Sequence, residues 1–87
     1  MQIKYHKNFT KSFKKLTPLL KDKTKKVIIK FTKNPRDKTL KNHKLTGKLN
    51  NKRAISVTGD IRIIFEQHNN YILVIFLDIG SHNQVYK

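Results

Sequence analysis

Eighty-seven residues suffice for one domain with a single modest core, and the 20 Lys and Arg against 5 Asp and Glu give a net charge of +15. The chain has no cysteine, which excludes a disulfide framework and a thiolate metal site, and no apolar run reaches the ~18 residues of a membrane helix. The expectation is a soluble cytoplasmic protein without a signal peptide.

The charge is lopsided. Residues 1–52 hold 17 basic and two acidic side chains, whereas residues 53–87 hold three of each. A field this dense favours a polyanion: nucleic acid, an acidic protein or an anionic membrane surface. Most individual lysines, 17 of the 20 basic residues, read simply as a solvated face.

In chain order, Gln2 to His6 alternates and predicts a first strand. Asn8 is positioned to cap a helix whose Phe9, Phe13 and Leu16 recur at helical spacing. Thr17-Pro18 restarts the chain, with Thr as N-cap and Pro in the first helical position, where its missing N–H costs nothing. The second helix should turn Leu20, Val27 or Ile28, and Phe31 inward and stop near Asn34-Pro35. A polar connection over residues 36–52 carries only a weak pattern of Leu40, Leu45 and Leu49.

Arg53 to Phe65 then reads as a β-hairpin around Gly59-Asp60. A two-residue loop pairs residue 58 with 61, 57 with 62, 55 with 64 and 53 with 66. One face would hold Arg53, Ile55, Val57, Arg62, Ile64 and Glu66; the other, holding Ala54, Ser56, Ile63 and Phe65, would be the core face. On this register Glu66 faces Arg53, while Arg62 lies opposite Val57 and lacks an ionic partner. Tyr71 to Ile79 predicts a central strand covered on both faces, broken by Gly80, and Gln84-Val85-Tyr86 a short strand or turn. The expectation is a single α+β domain in the order β-α-α-β-β-β, with a two-helix hairpin on one face of a mostly antiparallel four-stranded sheet.

The polar groups able to support chemistry are Arg53, Arg62, His43, Asp60, His82 and Tyr86. An arginine fork at mid-strand suits phosphate. His43 and His82 fall in loops beside strand ends, where sites are commonly built, whereas His6 and His68 read as structural or merely exposed. No short-spaced ligand pair supports a metal, and no cofactor is expected.

His43-Lys-Leu-Thr-Gly47, Arg53, Gly59-Asp60-Ile-Arg62-Ile-Ile-Phe65 and Asp78-Ile-Gly80-Ser-His82-Asn-Gln-Val-Tyr86 together resemble the RelE/ParE superfamily of bacterial type II toxins, nearest its YafQ-like and RelE-like ribonucleases. The resemblance spans the whole chain. It implies an mRNA interferase acting on messages at the ribosome, inhibiting translation and held in a hetero-oligomer by an acidic or amphipathic antitoxin. By the same resemblance Arg62 matches a transition-state arginine and His82 a catalytic His or Arg. Tyr86 matches an aromatic residue near the scissile bond, and His43 and Asp60 match a catalytic His and Asp. Lys44, Lys48, Lys52 and Arg53 are then expected on the RNA backbone. The chain departs from the YafQ-like pattern at Ser56, Ile61 and Asp78. Two other readings share this fold: a ParE-like inhibitor of DNA gyrase, and a basic module that binds RNA or the ribosome without chemistry.

Overall fold

A computed structural model describes residues 1–86. Strand β1 (Gln2–Tyr5) leads into helix α1 (Lys7–Lys14) and then α2 (Pro18–Lys33). Strands β2 (His43–Lys44), β3 (Arg53–Ser56), β4 (Ile61–His68) and β5 (Leu73–Ser81) follow, and α3 (His82–Val85) closes the described chain. The strands form one five-stranded sheet in the order β1-β5-β4-β3-β2. It is antiparallel except for the parallel β1–β5 pair. The α+β class and two-helix layer match the sequence expectation, but the sheet has five strands because His43-Lys44 adds an edge strand to β3.

Local chemistry sets the helix ends. Thr17 caps α2 through Oγ1, which accepts from Leu20 N–H, with Pro18 in the first turn as expected. The α1 cap is His6 rather than Asn8: its Nδ1 accepts from Asn8 N–H at 3.0 Å. Inside α2, Thr24 is fully buried and satisfies its hydroxyl by donating to Leu20 C=O at 2.7 Å.

The core lies between the helices and one sheet face. Phe9 and Phe31 meet Ile55, Ile63, Phe65, Val74, Phe76 and Ile79 there. Phe31 is central, 5.1 Å from the Phe65 ring and 5.8 Å from Phe76 in edge-on or tilted geometry.

The hairpin register differs from the expected one by a single residue. Arg53 pairs with Phe65, Ala54 with Ile64, Ile55 with Ile63 and Ser56 with Arg62. The loop is three residues long, because Thr58 Oγ1 accepts from both Asp60 N–H (3.2 Å) and Ile61 N–H (3.0 Å). Slipping by one residue turns the whole of β3 over. Ile55 therefore joins Ile63 and Phe65 in the core, while Ala54 and Ser56 share the open face with Ile64 and Arg62. Arg53 and Arg62 thus lie on opposite faces, and Glu66 does not face Arg53; it lies 3.8 Å from His68 instead.

Strand β5 also departs from expectation. The middle strand is β4, and in β5 buried Val74 and Phe76 alternate with half-buried Leu73, Ile75 and Leu77 rather than being covered on both faces. The pairing with β4 jumps from Asp78 to Phe76, leaving Leu77 in a β-bulge. Gly80 does not end the strand; it pairs with Arg62. Residues 82–85 are a helical turn rather than a strand, fixed by a capping box in which Ser81 and Gln84 exchange side-chain-to-backbone hydrogen bonds.

Candidate functional site

On the open side of the sheet, α3 and the segment around β2 enclose a groove of about 610 Å³. Its lining is His43, Lys44, Leu45, Thr46, Lys48, Leu49, His82 and Tyr86, two lysines with no carboxylate among them. Each wall has a local cause. Pairing of His43 with Ala54 places His43 on the face that holds Ser56 and Arg62. After Lys44 the chain stays tied to β3 through Leu45 N–H donating to Lys52 C=O at 2.9 Å. It then turns through a short 3₁₀ helix, Gly47–Leu49, whose first residue has φ +68, a left-handed conformation suited to glycine. On the other wall, the capping box fixes α3 so that His82 and Tyr86 stack edge-to-face, with ring centroids 4.3 Å apart at 81°.

The hydrogen bonds define chemical states. His43 Nδ1 lies 2.8 Å from Lys41 C=O. A carbonyl only accepts, so Nδ1 carries a proton, and in the neutral ring Nε2 is then the nitrogen with the lone pair. His82 is exposed. Tyr86 is half-buried, and its buried hydroxyl has no hydrogen-bond partner among the described residues.

Of the nine residues singled out from sequence, His43, Lys44, Lys48, His82 and Tyr86 line this groove; Asp60, Arg62, Lys52 and Arg53 do not. Arg62 shares the sheet face of His43, two strands away. It is not unpartnered: one terminal nitrogen donates to Thr58 C=O at 3.3 Å and Gly59 C=O at 3.2 Å, laying the guanidinium along the hairpin loop. Asp60 is exposed in that loop. Arg53 belongs to a different neighbourhood. Its Nε donates to Asn42 Oδ1 at 2.8 Å, and Asn42 Nδ2 donates in turn to Tyr71 Oη (3.0 Å) and Pro35 C=O (2.9 Å). This arrangement ties the 36–42 connection to β3.

Leu45, Thr46 and Leu49 also line the groove. The sequence marked the two leucines only as a weak apolar pattern. Their signal was the placement of apolar side chains beside Lys44 and Lys48. No group of three or more possible His, Asp or Glu metal ligands occurs among the described residues. Among the described residues no helix is long and apolar enough to cross a membrane.

A family model described as the bacterial toxin YafQ of a type II toxin-antitoxin system matches residues 1–87. Among solved structures, the fold is similar to YafQ from E. coli strain BL21(DE3), with TM-score 0.79 and 21% identity over 99% of this chain and 98% of that one. It is similar to a copper-bound mutant toxin from Helicobacter pylori, with TM-score 0.75 and 25% identity over 98% of each chain. It also resembles the chain matched in the E. coli DinJ-YafQ complex, with TM-score 0.73 and 20% identity over 99% of this chain and 98% of that one. No curated protein matches the sequence.

Proposed function

The chain belongs to the YafQ family of bacterial type II toxins, and on that premise we propose that it is a cytoplasmic, ribosome-dependent endoribonuclease that cuts messenger RNA and is neutralised by a cognate antitoxin. The observation that carries this reading is the groove in which His43 and His82 meet two lysines without a carboxylate. RNA cleavage without an external nucleophile requires removal of the ribose 2′-OH proton, attack on the adjacent phosphorus, and a proton for the departing 5′-oxygen. His43, with Nε2 free, takes the first proton. His82, on the opposite wall, delivers the second.

Charge accumulates on the phosphate oxygens during attack and must be met by fixed cations. Lys44 and Lys48 line the groove, and Arg62 lies on the same sheet face as His43. Arg62 holds only two long hydrogen bonds to loop carbonyls, which a phosphate would replace through charge-assisted contacts. Tyr86 and the leucines offer a surface for a base beside the scissile bond. Asp60 is exposed in the hairpin loop whose Thr58 and Gly59 carbonyls hold Arg62, and it lies outside the groove. Lys52 and Arg53 contribute to the field along the approaching RNA. The partner reading draws on the family and on the DinJ-YafQ complex of the E. coli relative.

The test is induced expression in a bacterial host, with growth curves and primer extension on a translated and an untranslated reporter. The expected outcome is growth arrest with cuts confined to the translated message. Loss of either catalytic histidine should reduce cleavage by about 10²–10⁴, and Arg62→Ala should abolish toxicity while the protein stays folded. Arrest without cuts would overturn the nuclease reading and favour binding of gyrase or the ribosome. A folded, fully toxic Arg62→Ala protein would remove that residue from the site.

A further inference from the structure

The groove does not end at Lys44. That lysine also walls a second hollow of about 530 Å³, and Arg53 and Gln67 belong both to that hollow and to a third of about 590 Å³. The three join through these shared walls. The groove lies on the open side of the sheet, whereas Arg53 pairs with Phe65 and shares its face. The path therefore crosses from the open side to the helical side at the paired residues Lys44 and Arg53. Arg36, Lys38, Lys41 and Arg53 join the two lysines of the groove, six basic side chains against the carboxylates of Asp37 and Glu66. Of those two, Asp37 is held by the Thr39 hydroxyl and N–H, and Glu66 lies beside His68.

The far end of this path is built rather than merely charged. Two of the chain's three arginines stand there. Arg36 lies 5.1 Å over the Tyr71 ring and donates to Asn70 Oδ1 at 2.9 Å. Arg53 is tied through Nε to Asn42, and Asn42 to the Tyr71 hydroxyl. One buried tyrosine thus fixes both guanidinium groups, and the two terminal nitrogens of Arg53 hold no hydrogen bond among the described residues. The turn that carries Tyr71 is itself strained: Asn69, Asn70 and Tyr71 stand at φ 54°, 54° and 68°. An aromatic residue in the left-handed region is a costly placement, of the kind that clusters at binding sites. Arginines held in this way lose little freedom when they meet phosphate, whereas an exposed lysine must first be ordered.

We propose that the three hollows form one track for a single RNA strand, with the scissile phosphate in the groove and a flanking stretch of backbone running past Lys44 and Arg53 to Arg36, Lys38 and Lys41. The identity of the strand rests on the nuclease reading of the groove; the connected cationic path does not. Continuity with the groove favours the strand already seated there over an acidic protein, which would answer the charge but not the connection. Arginine forks match phosphate oxygens in pairs and read no bases, so the track supplies affinity and register without sequence preference. Its far end uses Arg36, Lys38 and Lys41, none of which lines the groove. Gripping the flank and cutting the strand are therefore separable by mutation.

The test uses the full chain and fluorescein-labelled 2′-O-methyl RNA, whose blocked 2′-oxygen cannot attack, as a tetramer and a dodecamer, read by anisotropy over a range of salt. The dodecamer should bind more tightly and with the steeper salt dependence. The triple variant Arg36→Gln, Lys38→Gln, Lys41→Gln should weaken the dodecamer about tenfold or more and leave the tetramer unchanged. It should also flatten the log–log salt slope by about two, since each single-strand phosphate contact contributes about 0.7. The double variant of the exposed Lys38 and Lys41 alone should flatten it by about one, which guards against a folding defect from the loss of Arg36. A control variant, Lys11→Gln, Lys23→Gln, Lys25→Gln, removes the same charge from exposed positions on the helices and should leave the dodecamer slope in place. An equal effect of that control, or equal affinity for the two oligomers, would overturn the proposal. So would poly-glutamate lowering the dodecamer to tetramer affinity, which would assign the far end to an acidic partner. Two dodecamers bound per chain, one of them lost in the triple variant, would place a separate strand there and overturn it too. Primer extension reads the nuclease independently. A chain that cuts nothing yet shows the length-dependent, variant-sensitive binding keeps the track and loses the nuclease reading; a chain that cuts while the triple variant binds the dodecamer as wild type does loses the track alone.

Discussion

Replacing Gly80 with alanine would put a methyl group 2.8 Å from Gln84 Oε1, 3.2 Å from Gln84 Cβ and 3.3 Å from Val85 Cγ1. The amide end of Gln84 can swing aside, but only by giving up the 2.8 Å hydrogen bond it accepts from Ser81 N–H. That bond is half of the capping box and contributes about 0.5–1.5 kcal/mol. The Cβ and Cγ1 contacts then require α3 itself to move by a few tenths of an ångström. A four-residue helix has no intrinsic stability to absorb the loss. About 1.4 kcal/mol lowers the docked population roughly tenfold. The global fold should change little, because removing a glycine also restricts the unfolded chain, worth about 0.4–1 kcal/mol in the opposite direction. Backbone amide exchange resolves the two effects. Amides of Gln84 and Tyr86, bonded to Ser81 Oγ and His82 C=O, should exchange about tenfold faster in Gly80→Ala, with β4 amides unchanged. Message cleavage should fall with them, since His82 and Tyr86 ride on α3. Unchanged exchange at Gln84 and Tyr86 would refute the claim that close packing at Gly80 holds this wall of the site.

Arg53→Ala should lower unfolding stability by about 1–3 kcal/mol, because it leaves the Asn42 oxygen without its donor; urea denaturation measures it, and any loss of cleavage should be small beside that of Arg62→Ala. Asp37 should titrate below its ordinary 3.8, held there first by the Thr39 hydroxyl and then by the Thr39 N–H, against an opposing desolvation and with a lesser contribution from the charge of Lys30. A depressed carboxylate stabilises the fold fully above the unfolded value and loses that contribution as pH falls through the folded one. The stability advantage of wild type over Asp37→Asn should therefore be full at neutral pH and decline only as pH falls below the ordinary carboxylate value of about 4, as read from urea melts across the acid range.

The helices were legible because their signals are local: Thr17-Pro18 needs nothing beyond its own turn to start α2. The hairpin register was not, since Gly59-Asp60 suggests a two-residue loop and the deciding group is the Thr58 hydroxyl. A stronger cue lay in the apolar pattern. A three-residue loop alone gathers Ile55, Val57, Ile61, Ile63 and Phe65 on one face, whereas a two-residue loop spends Ile55 and Val57 on the arginine side. Edge strand β2 is two residues long and exists only because β3 is there to pair with. The histidines at the groove were found from their place beside strand ends. Arg53 was misplaced because its surroundings depend on the register and on Asn42, a distant partner that no short-range pattern reveals.

The parallel pairing of β1 with β5 joins Gln2 to Leu73 and Tyr5 to Phe76, the most distant stretches of backbone in the sheet. Closing a loop of that size costs about 4 kcal/mol in chain entropy before any contact repays it. The hairpins β3–β4 and β4–β5 have no such debt and can nucleate first. Strand β1 should then be the last to dock and the first to exchange its amides, each excursion baring the edge of β5 and lifting Tyr5 from Phe9 and Phe76. Whatever holds the Tyr5 ring against Phe9 and Phe76 therefore clamps the two ends of the chain together.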